Sequence, residues 1–477
     1  MPTEYSTRLF AKVQRAFGEY AVDKRIASSV ELMRLPRYVV EYLIGEFMAK
    51  GGDWEEKLHK FISEYYYEPK YRDLLLHKLT TEGTVRIIDE LKVWVHPKTG
   101  IHYAVLPSLA IRDARVVMDI VEKNPNVLIM GMWGLLTLRY DSASTEGERG
   151  TPIIVVDFIP FQAPYIDVNL YEEARREFTL KEWVDVLINT IGLNHERYSF
   201  RQKLVFLTRL VPLVEGNMNL MEFGPRATGK TYVYRHVSHY TRIFSGGNVS
   251  PAVLFYNLRT KVPGEIAARD AVIFDEISKI RFTNPSEMMG KLKDYMESGH
   301  YERGDKRGVS TCSLVFMGNI EVELREEGFV PVEEFTYVLP GEMRDSAFVD
   351  RVHGIIPGWE LPKIRQARYH LSQGYGVASD YFAELMHKMR KDTYVNKITR
   401  FIEFSENFTI RDERAVKKIS SGLIKLLFPH GEWDTKEFNI IMDIAIEYRQ
   451  RVREWLHILS PGEYPKEKLT YRDRNSG

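Results

Sequence analysis

Between Asn219 and Thr231 the chain reads NLMEFGPRATGKT, an apolar-leaning run that stops at a glycine and resumes four residues later as Gly-Lys-Thr. No other stretch limits the fold so strongly, because this spacing fits a β-strand that feeds a phosphate-binding loop and then a helix. Gly224 and Gly229 let the backbone of Pro225, Arg226, Ala227 and Thr228 turn its N–H groups inward, and the helix start adds its positive end. Lys230 would reach the β and γ phosphates of ATP, and the Thr231 hydroxyl would sit on Mg2+. The plain alternative is a glycine turn before a helix.

Forty-four residues after Thr231, AVIFDEIS is an apolar strand that delivers two carboxylates at its end. Asp275 would hold the Mg2+ water shell and Glu276 would polarise the attacking water. NPSEMMGKLKDYMESG then predicts a helix capped by Asn284, with Pro285 in its first turn, Glu287 completing a capping pair and Gly299 closing it. Met289, Leu292 and Met296 share one face of that helix and belong to the core. HYERGDKRGVS follows as a short basic turn carrying Arg303, Lys306 and Arg307, and it leads into the strand CSLVFM. Asn319, just past that strand, is placed to orient the water that attacks the γ-phosphate, although an Asn before a turn also has an ordinary structural role. In MRDSAFVDRVHG, Arg351 would reach a neighbouring subunit's nucleotide or would simply pair with Asp350, and spacing does not decide between them.

A chain of 477 residues is too long for one ordinary core. With 44% hydrophobic and 12% aromatic residues it has the apolar mass to fold, and a formal net charge of +0 leaves any nucleic-acid surface to local patches. A single cysteine, Cys312, excludes intrachain disulfides and cysteine-based zinc modules. No signal-peptide core and no spanning apolar run is present, so a cytoplasmic protein without membrane contact is expected.

Residues 1–82 read as helical, with Pro36 near a helix start and Gly51-Gly52 at its end. Residues 83–200 contain short β runs, including a hairpin that turns over Pro97 to Gly100, a polar loop DSASTEGERG at 141–150 expected to be exposed, and a helix opened by a Thr179–Glu182 capping box. The strands suggest a small barrel, of the oligonucleotide-binding type or a purely structural one. Residues 201–360 alternate strand, loop and helix as a parallel α/β core, and 361–477 form a helical lid and tail.

The order of phosphate loop, Asp-Glu strand, pre-sensor hairpin, sensor Asn, finger Arg and helical lid resembles AAA+ ATPases of the branch that contains MCM helicases and Lon proteases. LPRYVVEYLIG, FTLKEWVDVLINTIG, SGGNVSPAVLFYNL, DYMESGHYERG, DSAFVDRVHGIIPGWELPKI and RDERAVKKISSGLIKLLFPHG resemble the BrxL family of BREX phage-defence systems, over nearly the whole chain. The resemblance implies Lys230 and Thr231 on the nucleotide, Asp275 and Glu276 in hydrolysis, Asn319 as first sensor, Arg351 as finger and Arg411 in the second-sensor place. Longer relatives continue into a Lon-like protease domain; this chain ends at residue 477, so proteolysis is not expected of it. The implied assembly is a homo-oligomeric ring, a hexamer or a double hexamer, that engages double-stranded DNA alongside other BREX components. A second reading is an ATP-driven protein unfoldase working with a separate partner, and a third is a nucleotide-gated scaffold with negligible turnover. The cations of ERGDKRG favour the DNA reading, since polypeptide-threading rings usually present an aromatic loop there.

Overall fold

The computed structural model describes residues 3–26, 35–141, 152–162, 166–326 and 328–474. The chain forms two compact units, one of residues 30–165 and one of residues 1–29 with 166–477. Most of the polar loop expected at 141–150 lies outside the described residues.

In the smaller unit, three helices, Arg37–Ala49, Trp54–Tyr65 and Arg72–Glu82, precede five strands: β1 (Thr84–Val95), β2 (His102–Leu106), β3 (Ile111–Val116), β4 (Met132–Tyr140) and β5 (Ile153–Pro160). The first helix follows Pro36 and gives out before Gly51 and Gly52, both in left-handed backbone. The strands close in the order β1-β2-β3-β5-β4, with β3 and β5 parallel and the other pairs antiparallel. Closure removes free sheet edges, and inward residues such as Ile87, Leu91, Ala104, Leu136 and Val155 fill the barrel. The expected small barrel is present, and the three helices from Arg37 to Glu82 stand with it, whereas the helix Glu4–Phe17 at the start of the expected 1–82 helical segment belongs to the larger unit.

The larger unit is built on β6 (Asn219–Gly224), β7 (Thr241–Val249), β8 (Ala271–Phe282), β9 (Ser313–Asn319) and β10 (Gly354–Pro357). All four pairings are parallel, in the order β10-β6-β9-β8-β7. A parallel sheet covered on both faces reads as continuous apolar sequence, and every residue of β6 is buried. The helix Pro285–Ser298 lays Met289, Leu292 and Met296 into this core, as its spacing predicts. One expectation fails there. Asn284 occupies the cap position with φ of +53°, a left-handed conformation, and its side chain makes no capping hydrogen bond. Glu287 accordingly completes no capping pair and lies 3.7 Å from Arg303 Nε.

The capping box of Thr179 and Glu182 opens the helix Leu180–Thr190, whose Trp183 is fully buried and donates to the Leu426 carbonyl. Leu426 belongs to the helix Ile410–Leu427, which with Thr435–Leu459 supplies most of the C-terminal part. Two short antiparallel pairings tie distant segments down: Ala21–Asp23 with Tyr375–Val377, and Ile402–Phe404 with Tyr471–Asp473.

Candidate active site

At the C-terminal edge of the sheet, β6 ends in Gly224 and the next helix begins at Lys230. The loop between them reverses with Ala227 at φ +66° and Gly229 at φ +75°. Gly229 is suited to that backbone and Ala227 adopts it at some strain, as phosphate-binding turns require. Arg226 and Ala227 are exposed at the tip, whereas Pro225 and Thr228 are buried. Lys230 is nearly buried and folds back on the loop, donating to the carbonyls of Gly224 (3.0 Å) and Pro225 (2.9 Å). Burial pulls its ammonium from the ordinary lysine range down to about 8, with Glu222 opposing that pull.

Thr231 Oγ1 donates to Asp275 Oδ2 at 2.7 Å, so the two oxygens assigned to Mg2+ already face each other at the loop. Asp275 stands where β8 leaves its register with β7, and the next residue, Glu276, adopts φ +47°. That is a rare conformation for a non-glycine residue, of the kind found where a side chain is aimed for function. It sends Glu276 away from its neighbour: the Glu276 N–H donates to Asp275 Oδ1, while its own carboxylate meets Lys279 Nζ at 2.8 Å. Asn319 ends β9 directly opposite Gly224, between the loop strand and the Asp275 strand. Lys230, Thr231, Asp275, Glu276 and Asn319 are thus brought to one edge of one sheet.

Arg351 and Arg411 are not. Asn219, the first residue of β6, exchanges hydrogen bonds with His353, and its Nδ2 donates to the Arg351 carbonyl at 3.4 Å. Five strand steps of about 3.3 Å, about 17 Å in all, separate Asn219 from Gly224, so the Arg351 backbone meets β6 at the end opposite the phosphate loop. The Asp350–Arg351 pair does not form. Asp350 instead accepts from Arg449 (2.8 Å) and Arg411 (2.5 Å), and Arg351 turns to Glu297 (3.5 Å) and the Ala347 carbonyl (2.6 Å). Arg411 and Arg414 also meet Glu297, both at 2.9 Å. Burial alone would raise the Glu297 carboxyl, but Arg411 and Arg414 outweigh it and hold the acid below its ordinary range. Arg414 was not singled out by sequence; its spacing of three from Arg411 on one helix was the available signal.

The basic turn is a β-hairpin, His300–Arg303 paired with Lys306–Val309. Lys306 and Arg307 project outward, held only by exposed pairs with Asp305 and Glu302 at 3.3 Å each. Arg303 does not join them: its side chain is 19% exposed and donates to the Tyr256 carbonyl at 2.6 Å, so it fastens the hairpin to the adjacent segment. That segment is a second small hairpin, Tyr256–Asn257 with Val262–Pro263, which exposes Arg259 and Lys261. Sequence reading passed over it, because two-residue strands leave no periodicity.

A family model described as "Lon-like protease BrxL-like, ATPase domain" matches residues 153–470, and one described as "BREX system Lon protease-like protein BrxL N-terminal" matches residues 15–140. The chain is 32% identical over 474 residues to "Lon-like protease BrxL" of Escherichia coli O9:H4 (strain HS), which covers 98% of this chain and 67% of that protein. It is likewise 32% identical over 473 residues to the protein of the same name from Bacillus cereus (strain H3081.97), covering 98% of this chain and 69% of the relative. Matches of this extent, on a phosphate loop set in an AAA+-like parallel sheet, decide the family: the chain belongs to BrxL, the Lon-like ATPases of BREX defence systems.

Proposed function

We propose that the chain is one subunit of a homo-oligomeric ring, a hexamer or a stacked pair of hexamers, that hydrolyses ATP and couples hydrolysis to a grip on double-stranded DNA in antiphage defence. The observation that carries this reading is that Arg351, and Arg411 through Asp350 next to it, gather at the Asn219 end of β6, the opposite end of that strand from the phosphate loop. Arg351 as finger and Arg411 as second sensor serve the nucleotide of the adjacent subunit, and Arg414 lies beside them.

The donor set at the loop fits a hard cation: one hydroxyl and one carboxylate oxygen, already adjacent, with the remaining positions left to phosphate and water as Mg2+ prefers. Bound there by Thr231 and Asp275, Mg2+ would offset charge on the β and γ phosphates. Lys230 exchanges the Gly224 and Pro225 carbonyls for phosphate oxygens. Glu276 takes the proton of the attacking water and Asn319 orients that water. Lys306 and Arg307 meet the DNA backbone, and the barrel, read as an oligonucleotide-binding module, offers a second contact. The protein works in the cytoplasm with other BREX components; among the described residues no helix is long and apolar enough to cross a membrane.

A second reading, a polypeptide remodeller, is favoured by one feature. Directly after Asn319, the hairpin Val322–Arg325 with Gly328–Pro331 exposes Leu324 at 72% and Phe329 at 51%. ATP turnover with and without duplex DNA, alongside an image of the particle, tests the proposal. Rings whose turnover responds to DNA are expected. Stimulation by an unfolded polypeptide and not by DNA would favour the remodeller, and full activity in a monomer would overturn the composite site.

A further inference from the structure

Behind the phosphate loop, on the side away from a nucleotide, Arg209 and Glu222 form an ion pair with neither side chain exposed. Arg209 follows the helix Phe200–Thr208, and Glu222 stands on β6 two residues before Gly224. The pair is bidentate, with Nε donating to Oε2 at 2.9 Å and Nη2 to Oε1 at 2.6 Å. A buried ion pair adds little net stability, because desolvation offsets most of the attraction. Its use is found in what else it touches.

Fixed by Glu222, the guanidinium points its third nitrogen at the loop, where Nη1 donates to the Thr228 carbonyl at 3.2 Å. Three more loop carbonyls are held as well. Ala227 accepts from the Ile364 N–H at 2.7 Å, and Gly224 and Pro225 accept from Lys230. In a trans peptide the C=O and the following N–H point in opposite directions. Drawing the Thr228 carbonyl back toward Arg209 therefore aims the Gly229 N–H forward, to the face where a phosphate binds. Two of these restraints, those from Lys230, are given up when its amine turns to a phosphate. The restraints from Arg209 and Ile364 remain.

Resting on the ATP-site reading above, we propose that Arg209, oriented by Glu222, is a positioning residue of the nucleotide site, holding the Thr228–Gly229 peptide with its N–H toward phosphate after Lys230 has left the loop. Neither side chain of the pair is exposed, and Gly358 packs so closely that a Cβ there would lie 2.6 Å from Glu222 Oε1.

Two full-length variants test the role. Arg209→Lys keeps the charge beside Glu222 and loses the forked donor that reaches Thr228. Arg209→Met with Glu222→Leu removes both charges and leaves neither unpaired. Each is compared with the parent by thermal melting, by titration with a fluorescent ATP analogue in Mg2+, and by kcat and KM for ATP. A hydrogen bond to phosphate that is missing equally from bound substrate and transition state raises KM, by about tenfold for one bond to a charged group, and leaves kcat within a few fold. A purely structural role would instead lower the active fraction, so kcat would fall at unchanged KM. Unchanged KM and analogue affinity in both variants overturns the inference, as does a double variant that does not fold. Lys230→Ala, run alongside, separates this from the larger reading: if Lys230→Ala binds the analogue like the parent, the ATP site itself is wrong, and if it alone loses binding, only the role of Arg209 is wrong.

Discussion

Replacing Lys306 and Arg307 together by alanine removes the two outward cations of the hairpin between the helix Pro285–Ser298 and β9. The fold has little to lose. Their side chains are 48% and 86% exposed, and each makes one surface pair, with Asp305 and with Glu302. Exposed pairs contribute at most about 1 kcal/mol apiece, so melting should shift by only a few degrees. The hairpin backbone survives the change, because Gly308 sits against the Tyr301 ring and Tyr301 packs on the buried core of the sheet. DNA binding has much more to lose. Each phosphate neutralised contributes about 0.9 to the slope of log affinity against log salt, so two missing cations flatten that slope by about 2 for every hairpin engaged. Anisotropy of labelled duplexes between about 50 and 200 mM salt reads this directly, and duplexes of unrelated sequence should weaken alike. Basal ATP turnover should persist, since both side chains pair with hairpin acids and neither bonds to the phosphate loop. An unchanged salt slope would refute the hairpin as the grip. Attention would then move to Arg259 and Lys261 on the adjoining hairpin, and to the barrel.

Glu276→Gln should keep ATP and Mg2+ bound while turnover drops by at least about 100-fold, and turnover near that of the parent would remove Glu276 from its role. Gly224→Ala would bring a Cβ within 2.5 Å of the Gly358 backbone, so β6 and the segment after β10 must separate, at about 1–3 kcal/mol or more. A lowered melting point and abolished nucleotide binding are expected, and a variant as stable as the parent would contradict the packing described. Burial pulls Lys418 from its ordinary 10.5 down to about 8, where its amine donates to the Gly216 and Asn217 carbonyls. Between those values the unfolded chain holds a proton that the folded chain has released, so stability rises with pH from 8 toward 10.5, by up to about 3 kcal/mol from this group. Lys418→Met should show a flatter profile of denaturant midpoints over that window, and an identical profile would refute it.

The loop, the Asp275–Glu276 strand and Asn319 were legible because each is a local pattern: a strand length, a glycine spacing, a polar residue at a strand end. The barrel was legible for the same reason, from short alternating runs and a Pro97–Gly100 turn that the structure keeps between β1 and β2. Partners distant in sequence were not. Asp350 looked like the natural mate of Arg351, yet Arg449 and Arg411 claim it across the fold. The pairing of Ala21–Asp23 with Tyr375–Val377 assigns the N-terminal helix to the larger unit, and no local signal announces it. Asn284 matched a capping pattern by residue type, but the left-handed backbone that precedes Pro285 turns its side chain away from the helix N–H groups. Arg303 read as a third DNA cation because sequence shows charge and not direction; Tyr256 takes it. Glu222 is an acid set between Met221 and Phe223 in a buried strand, a visible irregularity whose meaning depends on Arg209, thirteen residues earlier.

The central claim is that the nucleotide site is completed by a neighbour, and mixed rings test it most directly. Arg351→Ala and Lys230→Ala chains should each be inactive alone, the first still binding nucleotide. Mixed, they create interfaces that pair an intact phosphate loop with an intact Arg351 from the next subunit, so ATP turnover should return at intermediate ratios and vanish at either extreme. Silence at every ratio, with subunit exchange demonstrated by differently labelled chains, would contradict a finger that acts across subunits.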